Sequence, residues 1–341
     1  MAIVAAVITP KPELTMVKNL RHLLLSTALL TASAICPAAG YIDAKASDPD
    51  GSPLDIGIWY PSAASTAPMV TGPVSQDVAI AGPIKGDHLP LVLISHGTGG
   101  YKFSHYDTAI ALANAGFVVA AVTHSGDNYQ DNSRAVFITE RPRHISRALD
   151  FMLTDWADRN KIDASRIGIF GFSAGGFTAL VNIGGQPDLS KIEPFCQAHA
   201  EHFACTLIAR KSQNKASEPP LRRGGVDLRF KAAVIAAPAL GYTFAPNGLD
   251  KVRIPVQLWR AEQDEILPHP WYDQLVHDGL RGRDDYRVVE NAGHFDFMAP
   301  CSAALAKLVP AICSSAIGFD RSAFHAKFNS ALVEFFKAKL S

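Results

Sequence analysis

The hexapeptide Gly171-Phe172-Ser173-Ala174-Gly175-Gly176 constrains this chain more than any other stretch. It follows the run Arg166-Ile167-Gly168-Ile169-Phe170, which reads as a buried strand. It leads into Phe177-Thr178-Ala179-Leu180-Val181, which reads as a buried helix. Strand, G-x-S-x-G and helix in that order hold a serine at the tip of a strained turn, with its hydroxyl presented at the end of a sheet. Residues two before and two after the serine come close to the backbone, and Gly171 and Gly175 remove side chains that would collide there. A glycine-rich turn with an incidental serine looks the same over five residues. The flanking strand and helix, and the partners downstream, favour a nucleophile.

The chain has 341 residues, 48% of them hydrophobic and 19% charged, with a formal net charge of zero. That is enough apolar material for one large domain. Scattered lysines and arginines give no electrostatic footprint for nucleic acid or an anionic membrane. At the N-terminus Lys18 and Arg21 precede the apolar run Leu23 to Ile35, and Ala38-Ala39-Gly40 follow. This is the layout of a secretory signal peptide, expected over residues 1–40 with Met16 as a plausible start. The run is too short for a stable membrane span, which needs ~20 residues. Export changes how the cysteines are read. Cys36 leaves with the leader, and Cys196, Cys205, Cys301 and Cys313 remain. An even number in an oxidising compartment implies two disulfides. Sequence-near pairing, Cys196–Cys205 and Cys301–Cys313, avoids threading, and no C-x-x-C spacing suggests a metal.

The mature chain, 41–341, alternates strand and helix. Leu54 to Tyr60, Leu89 to Ser95, Phe117 to Val122, the elbow strand, Ala232 to Ala237, Val256 to Leu258 and Tyr286 to Val289 read as strands. Helices are expected over 105–115, over 141–159 and from an Asp320 cap onward. Residues 61–89 read as a long loop, and the polar stretch 184–226 as a cap-like insertion over the site. This order implies an α/β fold with a mostly parallel sheet covered on both faces.

A serine hydroxyl needs a base, and the base needs orienting. His294 lies in a glycine-containing loop after the last strand and fits the base. His96 and His124 also follow strands but precede the serine, and His269 and His277 sit on or beside a surface helix. The acid must come from Glu262, Asp264 or Glu265, past the penultimate strand. Asp264 is best placed at the turn, and the two glutamates are expected to face solvent. Two backbone N–H groups are needed for the oxyanion. Ala174, after the nucleophile, supplies one, and the loop His96-Gly97-Thr98-Gly99-Gly100, through Thr98, supplies the other.

The runs Leu93 to Gly97, Ala115 to His124, Ile58-Trp59-Tyr60-Pro61-Ser62, the elbow, and Gly293-His294-Phe295-Asp296-Phe297 together resemble the bacterial dienelactone-hydrolase-like branch of the α/β-hydrolases. They are also similar to the platelet-activating-factor acetylhydrolases. The resemblance spans most of residues 50–300 outside the insertion. It implies a cofactor-free serine ester hydrolase with Ser173, Asp264 and His294 as its triad. The dienelactone hydrolase proper carries cysteine where this chain has Ser173, which points away from dienelactone as substrate. The expected activity is hydrolysis of small carboxylic esters by an exported enzyme, periplasmic or secreted, of unassigned oligomeric state. A polyester or diester hydrolase, and a non-catalytic binding protein on the same scaffold, are the alternatives.

Overall fold

The computed structural model describes residues 38–49, 51–212 and 224–341, apart from the side chains of 211 and 212. In chain order the strands are β1 (Ala38–Ala46), β2 (Leu54–Ser62), β3 (Ala67–Thr71), β4 (Val74–Ile80) and β5 (Leu89–Ser95). After them come helix α1 (Tyr106–Asn114), β6 (Val118–Thr123), α2 (Arg141–Thr154), β7 (Ile162–Phe172) and α3 (Ala174–Asn182). The second half holds α4 (Ile192–Ala198), α5 (Phe203–Ser212), β8 (Phe230–Ala236), β9 (Val256–Ala261), α6 (Asp273–Leu280) and β10 (Asp284–Val289). Short helices α7 (Ala303–Leu308) and α8 (Pro310–Cys313) precede the long α9 (Arg321–Lys339).

The strands form one ten-stranded sheet in the order β10-β9-β8-β7-β5-β6-β2-β1-β4-β3. From β10 to β6 every neighbouring pair is parallel. Every residue of β5 is buried, as a strand covered on both faces requires. Helices α2, α3 and α6 pack on one face through Ile145, Leu149, Phe177, Leu180 and Val276. Helices α1 and α9 cover the other through Leu112, Phe328, Leu332 and Phe336. The expected α/β layering is therefore present. The chain runs from β5 out to β6, then crosses back to build β7, β8, β9 and β10 on the other side. The reversal between β5 and β7 is a topological switch point, and the crevice at its carboxyl edge is where such sheets bind ligands.

One expectation needs amending. Residues 61–89 are not one loop, because β3 and β4 form a hairpin closed at Gly72-Pro73. The inward side of β4 is Val74, Gln76 and Val78, and the buried Gln76 accepts a hydrogen bond from Trp59 Nε1 at 2.9 Å. A buried glutamine breaks the apolar alternation that would have marked the strand. Ala38, Ala39 and Gly40, placed at the end of the leader, are the first residues of β1 and pair with Ser62, Pro61 and Tyr60. The rest of the leader lies outside the described residues. The stretch 184–226, read as a cap-like insertion, carries α4 and α5, while residues 213–223 lie outside the description.

Candidate active site

Ser173 stands between β7 and α3 with φ 57° and ψ −117°, a conformation that costs a non-glycine residue about 1–3 kcal/mol. The surroundings enforce it. Ser173 N–H donates to the Ala236 carbonyl at 2.9 Å, and its own carbonyl accepts from Gly176 and Ala239 at 2.8 and 3.0 Å. A Cβ on Gly171 would run into the Gly175 carbonyl oxygen, and one on Gly175 into that of Ser95. The two glycines are therefore a condition of the turn.

The loops after β7, β9 and β10 converge at this edge. His294 Nε2 lies 3.0 Å from Ser173 Oγ. Its Nδ1 lies 2.7 Å from Asp264 Oδ2. The other Asp264 oxygen accepts the backbone N–H groups of Ile266 and Leu267 at 3.0 and 2.7 Å, so the carboxylate has little freedom to turn. All three side chains are buried. Glu262 and Glu265 are exposed, as expected, but Glu262 is not idle: its Oε2 accepts the Asn291 N–H at 2.8 Å. His294 is also fixed from behind. The Gly293 N–H donates to Asp296 Oδ2 at 2.8 Å, and Arg321 Nε reaches Asp296 Oδ1 at 2.9 Å. Arg321 continues to the carbonyls of Ile312 and Ser314, which ties the histidine loop to α9 and to the segment around α8.

The loop 96–100 lies beside the elbow, and Thr98 lines two cavities together with Ser173. Ala174 begins α3 immediately after the serine. Gly99 N–H donates to Asp127 Oδ1 at 2.9 Å, and Gly100 N–H closes a turn onto the Gly97 carbonyl at 3.1 Å. Beneath this loop Arg141 is buried, donating through Nη2 to the His96 carbonyl and standing 3.6 Å from Asp127. Burial pushes Asp127 up and Arg141 down, and the attraction between them offsets each shift in part.

Three histidines extend the network. His96 Nε2 accepts from the His124 N–H at 3.1 Å, Ser95 Oγ is 2.9 Å from His124 Nε2, and His124 Nδ1 meets His144 Nδ1 at 3.2 Å. Burial, then the Arg141 charge, holds His96 and His124 well below the usual imidazole range. Burial and the neighbouring Arg143 push His144 down to about 4. These imidazoles act as neutral hydrogen-bonding pieces. Sequence reasoning passed over Asp127, Arg141, Asp296 and Arg321. Their sequence spacing carries no signal, since each acts through contacts made only after folding.

The cavities form a chain across Ser173. One, of about 130 Å³, runs under the insertion between Thr98, Leu189, Ile192, Phe203 and Leu207. A second, of about 250 Å³, lies over Ser173 and His294 and shares Thr98 and Phe203 with the first. A third, of about 530 Å³, shares Gly99, Gly100, Met298 and Ile312 with the second and continues among Tyr101, Phe103, Tyr106 and Tyr129. Cys196 is bonded to Cys205, beside Phe203, and Cys301 to Cys313, beside Ile312. Each disulfide, in the pairing expected from proximity, braces one wall of the cavity chain.

A switch-point crevice, a strained serine between strand and helix, and a histidine and acid delivered by later loops are the arrangement of the α/β-hydrolase fold, which this chain adopts. Residues 77–202 match the Dienelactone hydrolase family, a stretch that contains Thr98 and Ser173 and ends before Asp264 and His294. The chain is similar to cutinase est1 of Thermobifida alba, 33% identical over 162 residues, 47% of this chain and 49% of that protein. It spans about half the length, or less, of the curated relatives it matches. Among solved structures, a ferulic acid esterase from Streptomyces cinnamoneus superposes with a TM-score of 0.60 at 18% identity, covering 91% of each chain. A dienelactone hydrolase from Anabaena variabilis superposes at 0.51 and 14% identity, over 89% of this chain and 100% of that one. At such identities the likeness is one of fold. Among the described residues no helix is long and apolar enough to cross a membrane.

Proposed function

We propose that this chain is an exported serine hydrolase of carboxylic esters, acting through an acyl-enzyme on Ser173. The reading rests above all on the unbroken relay from Ser173 Oγ to His294 and Asp264, at 3.0 and 2.7 Å, opening onto an apolar cavity. His294 Nε2 takes the hydroxyl proton as Oγ attacks the ester carbonyl. Asp264 holds the Nδ1–H tautomer and stabilises the imidazolium that forms. The N–H groups of Thr98 and Ala174 receive the oxyanion. His294 then returns the proton to the leaving alcohol, and a water activated by the same imidazole releases the acid. Every step uses protein groups and water alone.

One side of the ester occupies the cavity under α4 and α5, and the other runs toward Tyr101 and Tyr129. The disulfides and the cutinase relatives support an extracytoplasmic site of action. With Ala38 already paired in β1, leader cleavage upstream of that residue keeps the strand whole.

The test is a fluorophosphonate probe together with p-nitrophenyl esters. The parent should be labelled at Ser173 and turn over, and Ser173→Ala should escape labelling and lose on the order of 10⁶ in kcat. More than a few per cent residual activity would sink the assignment. A second reading, a polyester hydrolase, is favoured by the outer cavity, whose rim includes the exposed Leu308 and Tyr129. Release of soluble product from a polyester film, compared with rates on an acyl-chain series, separates the two.

A further inference from the structure

The turn between α4 and α5 carries a cluster that the relay above does not use. His199, Glu201 and His202 offer two imidazole nitrogens and a carboxylate oxygen, all within 4.8 Å of one another. Glu201 Oε1 lies 3.5 Å from His202 Nε2 and 3.9 Å from His199 Nδ1. In a tetrahedral site with bonds of about 2.0–2.1 Å the donors stand roughly 3.3–3.5 Å apart. The Glu201–His202 pair already meets that spacing, and the exposed Glu201 carboxylate, 3.9 Å from His199 Nδ1, is the side chain placed to close the rest.

Two further features prepare the cluster. His202 is buried, and its Nδ1 lies 2.8 Å from the hydroxyl of the buried Tyr272. When Nδ1–H donates to that oxygen, Nε2 presents its lone pair toward Glu201, and Tyr272 is the outer partner that fixes the tautomer of a metal-binding histidine. The turn is also closed by the Cys196–Cys205 disulfide, which spans it over nine residues. His199 rests against Trp271, with ring centroids 4.5 Å apart, so its ring plane is set by packing.

We propose that His199, Glu201 and His202 bind a first-row divalent cation of the zinc type, with a fourth position left for water. Two imidazoles and one carboxylate suit such ions, whereas calcium and magnesium call for oxygen donors throughout. The ion would not touch the ester. Its consequence is mechanical: Phe203 follows His202 directly and lines both cavities that meet at Ser173, so the ion fixes the wall of the substrate site.

The test is isothermal titration of untagged, oxidised protein with zinc chloride, with calcium and magnesium chloride as comparators. One zinc per chain is expected, with no heat from the other two ions at the same concentrations. Glu201→Gln, at an exposed position, should weaken zinc binding at least tenfold, and His199→Ala likewise. Tyr272→Phe should cost about 10–100-fold by removing the tautomer lock. A zinc-induced rise in Tm should appear in the parent and shrink in all three variants. Absence of zinc binding overturns the proposal. So does binding of equal strength in Glu201→Gln and His199→Ala, which would place the ion elsewhere. Neither outcome bears on ester hydrolysis, which the Ser173 assays read separately.

Discussion

His294 and His96 both follow the carboxyl end of a parallel strand, and both are buried within a polar cluster beside the same serine loop. Their neighbours differ in charge. His294 has a carboxylate 2.7 Å away, while His96 has the Arg141 guanidinium, with Nη2 3.2 Å from its Nδ1. A carboxylate stabilises the imidazolium that forms when a serine proton is taken up. A buried cation opposes it, and burial first, then that cation, holds His96 well below the usual range. On the proposed mechanism the first cluster moves a proton, and the second holds backbone in place. Residue type and position at the sheet edge do not separate the two, but partner charge does.

The comparison is broken most severely at the acid. Asp264→Asn keeps the two contacts to Ile266 and Leu267 but can leave the imidazole in the wrong tautomer. The expected loss is on the order of 10⁴ in kcat with the fold intact, measured on a short p-nitrophenyl ester. A variant near normal would mean that His294 needs no anionic partner and that the contrast with His96 is empty.

Next comes the scaffold cluster. Arg141→Met removes the donor to the His96 carbonyl and should loosen the loop that presents Thr98, the proposed oxyanion donor. Deleting an oxyanion donor outright costs about 10²–10³. A donor merely left mobile should cost less, about 10–10² in kcat, with KM within a few-fold. Circular dichroism checks the fold. An unchanged kcat would show that the loop holds its shape without the guanidinium.

Acid should reveal this cluster, and His105 buried against Phe170 and Phe172, through stability. The unfolded chain protonates its histidines below about pH 6.5. In the folded chain burial pushes His144 and His105 down to about 4, and His96 and His124 are also lowered. Stability is thus full above about pH 6.5 and falls as the pH drops toward 4, because only the unfolded state binds these protons. His144 and His105 each contribute on the order of 3 kcal/mol to that loss. Urea midpoints at pH 7.0, 5.5 and 4.5 measure it, and His105→Leu should flatten the slope. A midpoint that does not move across this range would remove the claim that these imidazoles stay neutral.

Much of this could be read before folding. The parallel core announced itself because β5 and β6 are continuous apolar runs, and the elbow because only glycine fits at 171 and 175. The chain order of serine, acid and histidine singled out Ser173, Asp264 and His294, and the structure brings these three within hydrogen-bonding distance. What stayed hidden was polar material in buried places. Gln76 disguised β4, and Arg141 looked like an ordinary charge at a helix start, because its partners Asp127 and the His96 carbonyl are distant in sequence. Hydrophobic periodicity reports burial of apolar groups and says nothing about a buried ion pair.

The smallest effect tests the acid's neighbours. Both glutamates flanking Asp264 are exposed, yet they are not equivalent. Glu262 Oε2 accepts the Asn291 N–H, and Gln263 N–H donates to the Ala292 carbonyl at 2.9 Å, so this strand end holds the loop that carries His294. Asn291 itself has φ 58°, a conformation that benefits from such a tie. Glu262→Gln keeps an acceptor oxygen and should alter kcat by no more than about twofold. Glu262→Ala removes it and should cost several-fold, still below about tenfold, because the group never meets the transition state. Glu265→Gln should change nothing measurable. Stopped assays on the three variants beside the parent give the order. A loss in Glu265→Gln larger than in Glu262→Ala would mean that the loop after β9 is held by a contact other than the one to Asn291.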